Sequence, residues 1–243
     1  MRDISVIIPV LNENENISKL VRRLVNSLGN SEFIFVDDGS KDGTIESIQV
    51  LSNTDKRIKG IFNNVKLGHM GSYLEGIKIS VSENIVIMDG DLQHPPEVIP
   101  EMLRLLEEGN DVVIGSRYKN HKFLGNRDKK RGIISRGAEY ILKTFVKECR
   151  GISDPISGFV AFKKHLKLPI TPQMRGNKLL PFLIVTNPGI KVGYVNYKFT
   201  ERSEGQSKIV GLNKRFIPNY IREVIDIKKT SNEYGRLQHS STK

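Results

Sequence analysis

The chain has 243 residues, of which 38% are apolar, a size that suits one large α/β domain or a domain with an appendage. Its single cysteine, Cys149, excludes a disulfide framework and a cysteine-rich zinc site. No stretch approaches the roughly 18–20 apolar residues of a membrane-spanning helix, and Asp3 and Pro9 interrupt the apolar start. We therefore expect neither a transmembrane segment nor a secretory signal.

The formal net charge of +11 is concentrated in two segments. Residues 117–150 carry 11 Lys or Arg against 3 Asp or Glu, and residues 202–243 carry 9 against 4. Such segments indicate a polyanionic partner: nucleic acid, an anionic membrane surface or phosphorylated ligands. The sequence contains no zinc-finger spacing and no RNA-recognition aromatic motif, so we expect no nucleic-acid partner.

Apolar runs typical of buried strands alternate with helix-spaced apolar residues through the first half of the chain. The predicted strands are 4–10, 33–36, 58–62, 85–88 and 112–114, and the predicted helices lie near 17–28, 42–52, 69–82 and 96–107. This alternation predicts an α/β fold, with a mostly parallel, Rossmann-like sheet flanked by helices. Ligands are expected at the carboxyl ends of the strands.

The second half is less regular. A helix is predicted over 131–147, and strands over 159–162 and 192–199. The expected organisation is a main domain over 1–210, amphipathic interfacial helices over 211–230 and a disordered tail over 231–243.

The fourth predicted strand ends abruptly in acids. It is followed by Asp89-Gly90-Asp91-Leu92-Gln93, which places two carboxylates and an amide within five residues. An all-oxygen set of this kind suits Mg²⁺ or Mn²⁺ bridged to phosphates rather than zinc. The structural alternative is a solvated acidic turn.

Polar motifs follow four of the five predicted strands. They are 9–16, 37–44, 89–93 and 115–118. Each alone has a structural explanation, such as a turn or a helix cap. Only a shared ligand site explains why all four converge on one edge of the sheet.

In this order, the motifs resemble those of the inverting family-2 glycosyltransferases of the GT-A fold. Four further segments resemble the dolichol-phosphate mannose synthase group of that family: 91–97, 115–117, 154–159 and 202–208. The resemblance covers residues 4 to about 210. It implies metal-dependent transfer of mannose from GDP-mannose to dolichyl (polyprenyl) phosphate, with Mg²⁺ or Mn²⁺ as the cofactor.

The resemblance also implies roles for individual residues. The metal would be held by Asp89, Asp91 and Gln93. The nucleotide sugar would be bound by these three together with Pro9, Leu11, Glu13, Val36, Asp38 and Gly90. The catalytic set would be Asp91, Arg117, Arg131, Arg202 and Lys208, and the acceptor phosphate would be bound by Arg117, Arg131 and Ser135.

Physical chemistry supports these implied roles. A metal and several cations stabilise the charge that builds on a leaving nucleoside diphosphate, and arginine donates two parallel hydrogen bonds to a phosphate. A lipid phosphate is already an anion near neutral pH, so it can attack the anomeric carbon without a general base. His94, beside the acidic motif, is therefore expected to form local hydrogen bonds rather than to act as a base.

The chain departs from the family pattern at two positions. Leu11 replaces the usual tyrosine, which weakens a stacking contact to the base, and Gly90 replaces the usual alanine without removing a ligand.

Two other functions fit the same motifs. One is transfer of glucose from UDP-glucose to the same lipid, and the other is a non-catalytic nucleotide-binding subunit of a membrane complex. The complete metal motif disfavours the second. A processive polysaccharide synthase would usually carry Gln-x-x-Arg-Trp, and the chain has no tryptophan.

The predicted helices of 211–230 are relevant to whether the protein binds a membrane. Their apolar face comprises Phe216, Ile217, Tyr220, Ile221, Val224 and Ile225, and cations flank it. This composition is typical of a helix at a membrane interface, although the same face could pack on the core, and Pro218 could kink the helix or start a second one. We expect a peripheral position on the cytosolic leaflet; a small membrane-anchoring partner is the alternative.

Overall fold

A computed structural model describes residues 3–119, 122–125, 129–168, 176, 178–199 and 216–240, without the side chains of 129–131, 216 and 237–240. Its centre is a seven-stranded sheet in the order β3-β2-β1-β4-β8-β5-β9. These strands are β1 (Ile4–Val10), β2 (Ser31–Asp37), β3 (Ile58–Phe62), β4 (Asn84–Ile87), β5 (Val112–Ser116), β8 (Val160–Lys163) and β9 (Val192–Asn196). A short antiparallel hairpin comprises β6 (Tyr118–Lys119) and β7 (Lys122–Phe123).

The sheet is parallel except for β8, which runs antiparallel between β4 and β5. This arrangement confirms the predicted α/β class with a mostly parallel sheet. Since β1, β2, β4 and β5 point the same way, the loops that follow them meet at one edge.

Helices cover both faces of the sheet. They are α1 (Asn14–Ser27), α2 (Thr44–Thr54), α3 (Gly68–Ile79), α4 (Ile99–Glu107), α5 (Lys129–Phe145), α6 (Leu179–Thr186) and α7 (Phe216–Ser240). Alternate residues of β1 point to opposite faces, so Val6 and Ile8 pack with α1 and α4 while Ile7 packs with α3 and α6. The result is a three-layer fold with an apolar core on each side of the sheet.

Helix α6 is not predicted by the sequence periodicity, because all eight of its residues are buried and show no polar face. Pro181 is its third residue, where a missing backbone N–H breaks no intrahelical bond. Within the ranges that the structure describes, no helix combines the length and apolar character needed to cross a membrane.

The predicted disorder from residue 231 is wrong for 231–240, since α7 continues to Ser240. The polar composition is misleading because Thr230 and Ser231 are buried, and the Ser231 hydroxyl donates to Glu148 Oε1 at 2.9 Å. At the other end, Pro218 lies in the first turn of α7 and is compatible with a single helix.

The apolar face predicted for this segment is divided in the structure. Val224 is buried in the core and Tyr220 packs against it, whereas Ile217, Ile221 and Ile225 are exposed. Part of the predicted apolar face therefore packs on the core and part of it is exposed.

Candidate active site

The loops that follow β1 and β2 are held together by hydrogen bonds. The Asn12 N–H donates to Ser40 Oγ at 2.8 Å, and Asn12 Oδ1 accepts from the Lys41 N–H at 2.8 Å. Asn12 has a φ of 51°, a left-handed conformation that asparagine tolerates better than most residues. The polar residues of these two motifs thus build a rigid edge beside the acidic motif.

Asp37 and Asp42 are structural parts of this edge. Buried Asp37 accepts from the Gly39 and Ser40 N–H groups, each at 2.9 Å. Asp42 accepts from the Asn14 and Thr44 N–H groups, each at 3.1 Å. Burial raises the pKa of Asp42, but the hydrogen bonds from Thr44 and Asn14 outweigh it and lower the pKa overall.

The residues expected to bind the nucleotide lie at this edge. Pro9 of β1 is paired with Val36 of β2, and Leu11 and Glu13 follow β1 directly. Glu13 Oε2 accepts from Asn16 Nδ2 at 2.8 Å.

Asp38 also has partners within the chain. Its carboxylate accepts from the Leu67 N–H at 2.6 Å and the Gly68 N–H at 3.1 Å, at the start of α3. This contact with a helix N-terminus was not apparent from the sequence.

The acidic motif turns sharply at the end of β4. Asp91 is 4% exposed, and its Oδ1 accepts from the Gln93 N–H at 3.1 Å. Leu92 has a φ of 64°, a strained conformation that such sites often contain. The side chain of Asp89 is 39% exposed, so the motif combines one nearly buried carboxylate with one that solvent reaches.

The glycine at position 90 has a packing explanation. A Cβ at this position would lie 2.8 Å from Val10 Cγ1, which is closer than a real side chain allows. Gly90 therefore accommodates Val10 at the end of β1, and the departure from the family pattern is a local packing change.

His94 contacts the acidic motif from its buried side. It is 5% exposed, and its Nδ1 accepts from the Asp89 N–H at 3.0 Å while its ring stacks on Phe159 at 4.9 Å between centroids. Burial lowers the pKa of His94, although Asp89 and Asp91 oppose this effect. The expectation of a local hydrogen-bonding role is confirmed.

Arg117, directly after β5, is bound to a carboxylate that the sequence analysis did not assign. Its Nε and Nη2 atoms donate to Asp154 Oδ2 and Oδ1 at 2.9 and 2.6 Å. Burial opposes the charge of Arg117, but the Asp154 carboxylate outweighs burial and raises the pKa of Arg117. Asp154 itself has a φ of 50° and is 1% exposed, so the position is built to orient the arginine.

The other predicted cations are only partly located. Arg131 and Ser135 both lie in α5, one helical turn apart as expected, but the Arg131 side chain is outside the description. Arg202 and Lys208 lie outside the described residues.

The acidic motif has the donor chemistry for a divalent cation. Asp89, Asp91 and Gln93 provide carboxylate and amide oxygens, which Mg²⁺ and Mn²⁺ prefer. Among the described residues, no group of three His, Cys, Asp or Glu side chains could enclose a metal. One or two carboxylates are nevertheless the usual protein contribution where substrate phosphates complete the coordination.

The mostly parallel α/β sheet, with acids and an arginine at its carboxyl edge, is of the GT-A-like type seen in glycosyltransferase structures. The fold is similar to that of glucosyl-3-phosphoglycerate synthase from Mycobacterium tuberculosis solved with UDP, with a TM-score of 0.70 and 20% identity over 95% of this chain and 80% of that chain. A structure of the same enzyme with Mn²⁺, UDP and glucosyl-3-phosphoglycerate gives a TM-score of 0.69 at 21% identity, with the same coverage of both chains.

The chain belongs to the Glycosyl transferase family 2, whose model matches residues 5–167. Similar proteins named dolichol-phosphate mannosyltransferase occur in Pyrococcus furiosus, at 35% identity over 96% of this chain, and in Mycosarcoma maydis, at 30% over 92%. A third, from Saccharomyces cerevisiae, is 28% identical over 92% of the chain. The matches span 66%, 78% and 86% of these three proteins, respectively.

Proposed function

We propose that this protein transfers mannose from GDP-mannose to dolichyl (polyprenyl) phosphate, with inversion at the anomeric carbon. The observation that carries the proposal is the acidic motif at the end of β4, near the buried Arg117–Asp154 pair at the end of β5. Three relatives named dolichol-phosphate mannosyltransferase support the choice of sugar and acceptor.

Asp89, Asp91 and Gln93 would hold Mg²⁺ or Mn²⁺. When bound, such a cation neutralises the charge that develops on the departing GDP. The support is the oxygen donor set, and the presence of Mn²⁺ in a structure of similar fold agrees with it. Pro9, Leu11, Glu13, Val36 and Asp38 would bind the guanosine part of the donor.

The basic residues would act on the phosphates. Arg117, fixed by Asp154, presents a cation of set orientation to the acceptor phosphate, with Arg131 and Ser135 of α5 beside it. Arg202 and Lys208 would offset the diphosphate charge of the leaving group. Because the acceptor is already an anion, the protein needs to align it and exclude water rather than to remove a proton.

The acceptor is a lipid, so the protein must reach a membrane surface. Support comes from α7, where Ile217, Ile221 and Ile225 are 55%, 43% and 47% exposed and form a stripe at four-residue spacing. Helix α5, to which the Tyr220 hydroxyl donates at the Ala138 carbonyl, also exposes Tyr140. With the basic segments around them, these residues favour a peripheral position on the cytosolic leaflet.

A transfer assay tests the proposed function. The purified protein is incubated with polyprenyl phosphate, Mn²⁺ and either GDP-mannose or UDP-glucose, and the lipid products are identified by mass. We expect a mannolipid from GDP-mannose and no product after chelation of the metal. A glucolipid from UDP-glucose alone would contradict the donor, and the absence of any glycolipid would favour a nucleotide-binding subunit.

A further inference from the structure

The C-terminal helix α7 reaches the candidate active site through one buried acid. Glu223 is 6% exposed, and its Oε1 accepts from the Lys178 N–H at 2.9 Å. Lys178 directly precedes α6, so this bond connects the start of α6 to the first third of α7.

A glycine makes this approach possible. Gly176 has a φ of +114°, and a Cβ there would lie 2.2 Å from Glu223 Cδ. Both the backbone conformation and the space thus require glycine. The Glu223 carboxyl group therefore packs directly on the chain at 176, two residues before the lysine whose N–H it accepts.

The side chain of Lys178 interacts electrostatically with several charged groups of the site. Burial lowers the pKa of Lys178, as does Arg117, while Asp89, Glu223 and Asp154 oppose the change. The buried ring of His94 is also within electrostatic range of Lys178. The Lys178 amine thus interacts electrostatically with both the acidic motif and Arg117, and the hydrogen bond from its backbone N–H to Glu223 fixes where its chain segment lies.

We propose that Lys178 is a further phosphate-binding cation of this active site, on the acceptor side next to Arg117, and that Glu223 is its positioning residue. The inference rests on the proposed function. Arg117 is already paired with Asp154, and the pair contributes no net charge. A phosphate bound there gains from a further cation besides Arg131, and Lys178 provides it from a chain segment that α7 holds in place.

The link to α7 supports the acceptor side rather than the donor side. Glu223 lies in α7, the helix whose exposed isoleucines are proposed to contact the membrane. The lipid phosphate comes from that membrane, so it would approach the active site from the side of α7. The loops proposed to bind the nucleotide follow β1 and β2, towards the other end of the sheet.

Steady-state kinetics of Lys178→Met test the proposal, because methionine keeps most of the length of the side chain and removes its charge. We expect the KM for polyprenyl phosphate to rise about tenfold or more, the effect of one charge-assisted hydrogen bond. The affinity for GDP with Mn²⁺, measured by calorimetry, should remain within about twofold of the parent value. Lys191→Met is the matched control, since exposed Lys191 precedes β9 at the opposite edge of the sheet.

Glu223 is tested by a pair of variants. Glu223→Ala should raise the KM for the acceptor with a smaller effect on kcat. Glu223→Gln should have the KM of the parent, because the amide oxygen accepts the same hydrogen bond from Lys178. Asp226→Asn, on the same helix, is the control. If Glu223→Ala does not fold, Glu223→Gln and Lys178→Met still decide the outcome.

Several results would overturn the inference. If the parent protein is active and Lys178→Met leaves the KM for the acceptor unchanged, the role proposed for Lys178 is wrong. The proposed function would remain intact. A loss of GDP affinity without a change in acceptor KM would assign the cation to the donor diphosphate instead. A parent protein that forms no mannolipid would overturn both proposals together.

Discussion

Asp91 is the residue on which the proposed metal site depends most. It is almost completely buried, and its Oδ1 already accepts from the Gln93 N–H. Because the Gln93 N–H holds the Asp91 carboxylate at the end of the strand, the backbone sets the direction in which this carboxylate can coordinate a metal. We therefore expect the negative charge of Asp91 to matter more for the metal site than the size of its side chain.

We expect Asp91→Asn to lower the rate of transfer by about 100-fold or more, since one of the few charged metal ligands is lost. Thermal unfolding should change little, because asparagine still accepts from the Gln93 N–H. Glu107→Gln, which removes an exposed carboxylate at the end of α4, is the control. Substantial activity in folded Asp91→Asn would mean that the metal is held elsewhere.

Arg117, for which we propose a role in transfer, also contributes to stability. The side chains of Arg117 and Asp154 are 15% and 0% exposed, so removal of one leaves a buried charge without its partner. We expect Arg117→Ala to reduce the free energy of unfolding by about 3 kcal/mol as well as to reduce transfer. Urea denaturation measures the first effect, and Arg104→Ala on the exposed face of α4 is the control. Unchanged stability would show that the pair is solvated.

His94 predicts a dependence of stability on pH. Burial lowers its pKa in the folded state, so below the ordinary value of about 6.5 the unfolded chain binds more protons. Its contribution to stability is complete above that pH and declines as the pH falls towards the lowered pKa. Between pH 7 and 5, the parent should therefore lose more stability than His94→Gln. Parallel curves for the two proteins, measured in urea, would contradict this prediction.

At the scale of elements, the predictions from sequence succeed for buried strands and for helices with one apolar face, and they fail for a helix that is buried all round or whose buried positions are polar. The five strands of the first half are confirmed: short apolar runs that alternate with helix-spaced residues are typical of a buried parallel sheet, and two of the runs, 33–36 and 85–88, end directly in acids. Helix α6 gives no periodic signal because it is buried all round, and the end of α7 looks disordered because its buried positions are Thr230 and Ser231.

At the candidate site, too, some residues can be recognised from the sequence and others cannot. The acidic motif and Arg117 are recognisable in sequence because each follows a strand directly. Asp154 lies in the motif 154–159, but its pairing with Arg117 spans 37 residues. Glu223 and Lys178 are separated by 45 residues and belong to no strand end, so only the packing of α6 on α7 brings them together.

Helix α7 should contribute to membrane binding through its exposed isoleucines. We expect Ile221→Ser with Ile225→Ser to weaken binding to liposomes that contain anionic lipids, and we expect added salt to weaken binding by the parent. Stability should change little because both side chains are about half exposed.

The matched control for this double variant is Val50→Ser with Val65→Ser, which removes two exposed valines far from α7 in sequence. Sedimentation with liposomes measures the bound fraction. Equal binding by the two double variants would assign membrane attachment to another surface or to a separate anchoring partner.

At the scale of the whole molecule, the segment matched by the family model does not contain the whole sheet or the whole core. It ends at residue 167, whereas β9 pairs with β5 over five residues and α6 and α7 complete the core on one face of the sheet. Buried residues of the first half, including Ile7 and Ile34, belong to the same core cluster as Leu180 and Val224. The later elements therefore stabilise the earlier ones.

We expect a fragment of residues 1–167 to be expanded or aggregated, because it leaves the β5 edge unpaired and one core face uncovered. The full chain should unfold in urea in a single transition, with circular dichroism and intrinsic tyrosine fluorescence giving the same midpoint. Size-exclusion chromatography and near-ultraviolet circular dichroism measure the fragment. A monomeric fragment with fixed tertiary signals, or two separate transitions in the full chain, would show that the first 167 residues fold independently and that α6, β9 and α7 are added to a finished domain.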